Sequence, residues 1–251
     1  MEAIQFNQFD HRQRYASRGI IVSPNPPQVG TPTTIELQLQ NPGPGALTIS
    51  RIETRVAQFG MGVAWEELPQ LGPFHLPANP AHVEKITQQW TPQVGGHRCV
   101  RANIFIEQLP QPLRIGRNLH VIEAEAEMIR WQVPFRLGNP ERERKPVVLT
   151  VEQDNPREVL ATIMVKERIV HVGEPIWLAA GEEVDAILLL RARTRSAIES
   201  INNIEASIDG RLIDGIQIIV QRPAQLQNPI YPAVEQTYVD THREALVTMQ
   251  R

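Results

Sequence analysis

Three observations predict an all-β protein. Apolar and polar residues alternate over short runs, prolines are too frequent for long helices, and a strand-and-turn pattern returns after about 100 residues, the length of one sandwich domain. The chain has 251 residues, 41% of them apolar and 21% charged, with 21 prolines. That length is more than one sandwich needs and suits two, with about 50 residues left for arms and linkers. The clearest stretch runs from Val22 to Ile106. A Pro-Pro-x-x-Gly opening (Pro26, Pro27, Gly30) precedes TTIELQLQNPGPG, and QQWTPQVGGHRCVRANIFIE follows. These segments read as the first and last strands of an immunoglobulin-like β-sandwich. The expected architecture is two tandem immunoglobulin-like β-sandwiches with an N-terminal arm and a C-terminal, partly helical tail. The divisions are 1–16 for the arm, 17–118 and 119–222 for the sandwiches, and 223–251 for the tail.

In the arm, Ile4, Phe6 and Phe9 are the main apolar side chains, and they suit docking better than independent folding. GIIVSPNPP gives a short edge strand stopped by proline, which cannot donate to a ladder. Ile35, Leu37 and Leu39 alternate with Glu36, Gln38 and Gln40, the period-2 pattern of a strand with one buried face, and Asn41 to Gly45 end it. In LTISRIETRVAQF the apolar parity changes near Arg51, which a bulge explains. Gly60 and Gly62 flank Met61 at an expected bend, where the chain changes sheet or exposes backbone. LPQLGPFHLPANP is expected to be a loop, and Trp90 closes the strand after it.

The second unit repeats the pattern. IRWQVPFRLGNP matches the opening strand and its Asn-Pro turn, VVLTVEQD and ATIMVKERIVHV supply strands, and EPIWLAAGEEVDAILLLRAR supplies a turn feeding a core strand. IEASIDGRLIDGIQIIVQR is the last hairpin, turning at Asp209-Gly210 or Asp214-Gly215. Between the units, Leu119 and Val121 and then Ala124, Ala126 and Met128 alternate with Glu123, Glu125 and Glu127. This predicts a connecting strand, with helix as the alternative. In the tail, Val234, Tyr238, Ala245, Leu246 and Met249 approximate one face of a helix that is too short to be stable alone.

PPQVGTPTTIELQLQNPGPG, QQWTPQVGGHRCVRANI, RNLHVIEA, PFRLGNP and LAAGEEVDAILLL together resemble the bacterial tandem Ig-like, adhesion-type domains called CARDB-like. The resemblance covers about residues 16 to 222. It implies modules for adhesion or assembly, commonly secreted or at a surface.

A formal charge of -3 with scattered Lys and Arg offers no stripe for nucleic acid. The amino terminus lacks the basic start and apolar run of a signal peptide, and no later run reaches membrane-spanning length. The expectation is a protein cytoplasmic as synthesised, with membership of an exported or phage-like particle as the alternative.

Cys99 is the lone cysteine, so no intramolecular disulfide forms. His97 lies two residues away, but a structural zinc site needs four ligands, so an inert, wholly or partly buried thiol is expected. No nucleophile elbow or phosphate loop occurs, and Glu123, Glu125 and Glu127 read as a solvated strand edge. No catalytic residue, metal or cofactor is expected. The four tryptophans, Trp65, Trp90, Trp131 and Trp177, are expected in the cores.

The functional expectation is a non-enzymatic structural or assembly protein with protein partners and self-association. Ile4, Phe6, Phe9, Tyr238, Leu246 and Met249 are its expected interaction residues. The alternative is an adhesin-like module binding a protein or glycan through loops around GMGVAW and LGPFHLPANP.

Overall fold

The computed structural model describes Tyr15, Ser17 and residues 19–123, 129–193, 199–221 and 238–239. Every regular element among them is a strand. The first nine are β1 (Ile20–Ser23), β2 (Thr33–Asn41), β3 (Leu47–Gln58), β4 (Gly60–Met61), β5 (Glu66–Glu67), β6 (Phe74–Leu76), β7 (Asn79–Trp90), β8 (Arg98–Ile106) and β9 (Leu113–Arg117). There follow β10 (Leu119–Glu123), β11 (Arg130–Gly138), β12 (Lys145–Gln153), β13 (Val159–Val165), β14 (Arg168–Val170) and β15 (Pro175–Leu178). The last are β16 (Glu183–Ala192), β17 (Ser200–Ile208), β18 (Arg211–Gln221) and β19 (Tyr238–Val239). The strands divide between two compact units. One holds the described chain up to Val56, Trp65–Arg117 and β19; the other holds Ala57–Ala64 and the described chain from Asn118 to Gln221.

The first unit is a β-sandwich. One sheet runs β1-β2-β7 and the other β19-β9-β8-β3-β5, with β6 also paired to β3. Alternation supplies the core: Ile35, Leu37 and Leu39 from one sheet meet Ile52, Val56, Val100, Ala102 and Ile104 from the other in one buried cluster. In β3, Ile49 and then Ile52, Thr54 and Val56 are buried with two half-buried residues between, the expected change of parity at Arg51. The Pro-rich segment is not all loop. Phe74–Leu76 pairs with Leu47–Ile49, because three residues between prolines are enough for an edge strand that needs few donors.

The second unit has sheets β10-β18-β17-β12-β15 and β14-β13-β16-β11-β4. Its hairpin turns at Asp209-Gly210, both at positive φ, as a two-residue turn of the favoured hand requires. The second Asp-Gly falls beside a register shift, where Ala206 faces Asp214 and Ser207 faces Leu212. The charged run 141–144 connects β11 in one sheet to β12 in the other. Leu119–Glu123 is a strand, parallel to β18; 124–128 lie outside the described residues.

Gly60 to Ala64 of the GMGVAW bend belong to this second unit, and Trp65 to the first. Phe59, Met61 and Val63 are buried, while Gly60 and Gly62 lie against the backbone of β11. A Cβ at Gly60 would stand 2.3 Å from the Arg136 carbonyl oxygen, and one at Gly62 2.3 Å from that of Gly138. Only glycine lets β4 pair in parallel with Arg136 and Leu137 at this distance.

The two Asn-Pro turns are built alike. The Asn41 Oδ1 accepts the Gly43 N–H at 3.1 Å, and its Nδ2 donates to the carbonyls of Gly45 at 2.8 Å and Leu76 at 3.4 Å. The Asn139 Oδ1 accepts the Glu141 N–H at 3.0 Å, and its Nδ2 donates to the carbonyls of Glu143 at 2.8 Å, Ala179 at 3.0 Å and Leu178 at 3.1 Å. Both asparagines are 1% exposed. Replacing either by alanine leaves one buried carbonyl, that of Leu76 or of Leu178, without this donor, and each loss is expected to cost about 2 kcal/mol. Urea unfolding of Asn41→Ala and Asn139→Ala checks this, and a midpoint unchanged in either would refute it.

Candidate functional site: an edge strand reached by both ends of the chain

Strand β9 follows the turn after β8. Leu113 and Ile115 alternate with Arg114 and Gly116, and the strand pairs antiparallel with β8 from Val100↔Arg117 to Ile104↔Leu113. Ile115 is 1% exposed and lies in the core. Among the described residues β19 lies beyond β9 in the sheet, with Tyr238 opposite Gly116 and Val239 opposite Ile115. The Gly116 carbonyl also accepts the Ser17 N–H at 3.2 Å. Backbone from near both ends of the chain therefore converges on one strand.

The second unit shows what a filled edge looks like. Strand β18 occupies the place in its unit that β9 occupies in the first, and it is paired along five residues by β10, from Leu119↔Gln217 to Glu123↔Gln221. At β9, among the described residues, β19 pairs at two positions and Ser17 binds beside them at Gly116. Main-chain hydrogen bonds are what this strand offers to a neighbouring segment.

Of the expected interaction residues, Tyr238 lies on this edge, and its backbone is extended rather than helical. A ladder partner is available to it there, which overrides a weak helical preference. Ile4, Phe6, Phe9, Leu246 and Met249 lie outside the described residues. The acceptor strand itself was not singled out from sequence as a site. Its signal, Leu113 and Ile115 alternating before Asn118, reads equally well as part of a linker.

Next to β9, the start of β8 gathers His97, Arg98 and Cys99. Cys99 is fully buried. Arg98 is buried too, and its Nη2 donates to the carbonyls of Val94 and Gly95. Burial, aided by the Arg117 guanidinium, lowers the His97 pKa from its ordinary 6.5. Among the described residues, no group of three or more His, Cys, Asp or Glu could hold a metal ion.

The tryptophans divide. Trp90 and Trp131 are buried, whereas Trp65 is half-buried with Arg101 stacked 4.5 Å from its ring centroid. Trp177 departs from the core expectation at 53% exposed, with Arg144 at 5.3 Å. It alternates with buried Ile176 and Leu178 on edge strand β15, so its face is the outer one.

No family model matches the chain, and no curated protein matches it. Among solved structures it is similar to a red sea bream transglutaminase, at 12% identity and a TM-score of 0.25, over 81% of this chain and 31% of that one. The chain thus spans about a third of the length of that structure. A likeness at that score carries no inference here.

The depressed His97 pKa has a definite sign. The unfolded state binds this proton more readily than the folded one, so stability is present above pH 6.5 and is lost as pH falls through the lower folded value. His97→Gln is expected to flatten the fall in stability below pH 6.5 relative to wild type. Urea unfolding from pH 8 down to about pH 5 checks it. An unchanged slope would refute the assignment.

Proposed function

We propose that the chain is a non-enzymatic structural or assembly protein. Two immunoglobulin-like sandwiches, CARDB-like in kind, and the terminal segments make protein–protein contacts in a larger particle or filament. The supporting observation is that β9 takes backbone from Ser17 and from Tyr238–Val239. A strand edge that accepts a segment of its own chain can accept the same chemistry from another molecule, since the recognised groups are main-chain N–H and C=O. The arm with Ile4, Phe6 and Phe9 and the tail with Leu246 and Met249 are the proposed donors of apolar contact.

The adhesin-like alternative draws on exposed Trp177, a flat aromatic surface suited to a protein or glycan ligand. It loses one of its expected loops, because Met61 and Val63 of GMGVAW are buried.

Deletion of residues 1–15 and 224–251, singly and together, separates the readings. The assembly reading expects a loss of self-association or partner binding, read as mass by light scattering after size-exclusion chromatography. Unchanged mass and binding with a lowered melting temperature would reduce both segments to internal supports.

A further inference from the structure

Strand β16 carries apolar residues on both faces. Val184, Ala186, Leu188 and Leu190 are buried in the second unit, while the opposite face reads Asp185, Ile187, Leu189, Arg191, with the two charged residues exposed and the two apolar ones half-buried. The register extends this outer face across the sheet. Ile187 stands opposite Pro134 on β11 and Met164 on β13, and Met164 stands opposite Ile169, which is 54% exposed. An apolar band therefore crosses four strands in one row, with Leu189 in the next.

The two ends of the face carry opposite charge. At one end Arg191 stands directly opposite Arg130, and both are exposed. Like charges in cross-strand register are unfavourable, and neither has an acidic partner among the described residues. At the other end Asp185 and Glu183 share the single guanidinium of Arg136, at 2.6 Å and 3.8 Å, and the Asp185 side chain remains 90% exposed. Lys166 beside them is neutralised by Glu182 at 2.7 Å. Two carboxylates against one free cation leave this end negative.

An acid–apolar–apolar–base order along one strand is complementary to itself when a second copy is turned through a two-fold axis between Ile187 and Leu189. Asp185 of each copy then meets Arg191 of the other, and the apolar Ile187 row of each copy lies over Leu189 of the other, which Gln132 and Thr162 flank. Such a contact is isologous and closes on itself. We infer that the outer face of β14-β13-β16-β11 is a dimer interface with a second copy of this chain. It deepens the assembly reading above and rests on it, while using a surface separate from β9. The face measures about 20 Å along β16 by about 15 Å across the strands. That is small beside the about 800 Å² per partner of a standard interface, so the dimer is reversible and concentration-dependent.

The test uses full-length chains carrying Arg191→Asp or Asp185→Arg. Each variant alone places like charges at both symmetry-related contacts, and its dimer is expected to weaken about tenfold in sedimentation across a concentration series. Mixing the two restores opposite charges at both contacts. The mixture is expected to associate as well as wild type, with one copy of each variant per dimer by native mass spectrometry of isotope-labelled chains. A misfolded variant is not rescued by mixing. A mixture that associates no better than the separate variants overturns the inference, as does wild-type association that both variants leave unchanged. If that unchanged association is lost on deleting the termini, this interface falls and the assembly reading stands. A wild-type chain that is monomeric throughout also overturns the interface.

Discussion

A buried primary amide closes the first corner of each unit. Where β2 ends, the Asn41 side chain satisfies the turn that leaves the sheet and also reaches the Leu76 carbonyl on β6, in the opposite sheet. Asn139 does the same after β11, reaching Leu178 on β15. One side chain thus fixes where the chain leaves one sheet and where the edge of the other begins. The following strands start in matching register, Leu47 opposite Leu76 and Lys145 opposite Leu178. Proline at the next position removes a donor that this turn does not need. With no disulfide to staple either unit, these amides and the alternating apolar faces hold the geometry.

Much of this was legible in the sequence, for identifiable reasons. Period-2 alternation marked β2 because one of its faces is buried and the other is not. The Asn-Pro turns marked a repeat because the hydrogen bonding that asparagine performs there depends on its own short amide. Gly60 and Gly62 signalled a bend, and the reason for them is a backbone approach at which a Cβ would collide. What stayed hidden depends on distant partners. Phe74–Leu76 looks like loop until Leu47–Ile49 is there to pair with it. Trp177 looks like core until its face of β15 proves to be the outer one. Ala57–Ala64 lies within the first repeat by sequence yet belongs to the second unit, and no local pattern encodes that exchange. The outer face of β16 was visible only as the run ILLL, whose meaning depends on which residues the neighbouring strands place beside it.

Repeating one architecture twice makes the differences between the copies informative. Both units run β-strand, Asn-Pro corner and β-strand into a final hairpin, and both leave the outer side of the last strand to be covered. In the second unit five residues of β10 pair there, and in the first, among the described residues, β19 pairs at two positions with Ser17 beside them. Main-chain ladders are indifferent to the identity of the molecule supplying the strand. A strand that takes backbone from segments distant in the chain is in this sense a socket.

Amide hydrogen exchange at Leu113–Arg117, followed with protein concentration, tests the socket most directly. If the edge of β9 serves assembly, its outward-facing amides exchange quickly in dilute solution and become protected as the chain associates, while those of β18 under β10 stay protected throughout. Equal and concentration-independent protection of the two strands would contradict the account.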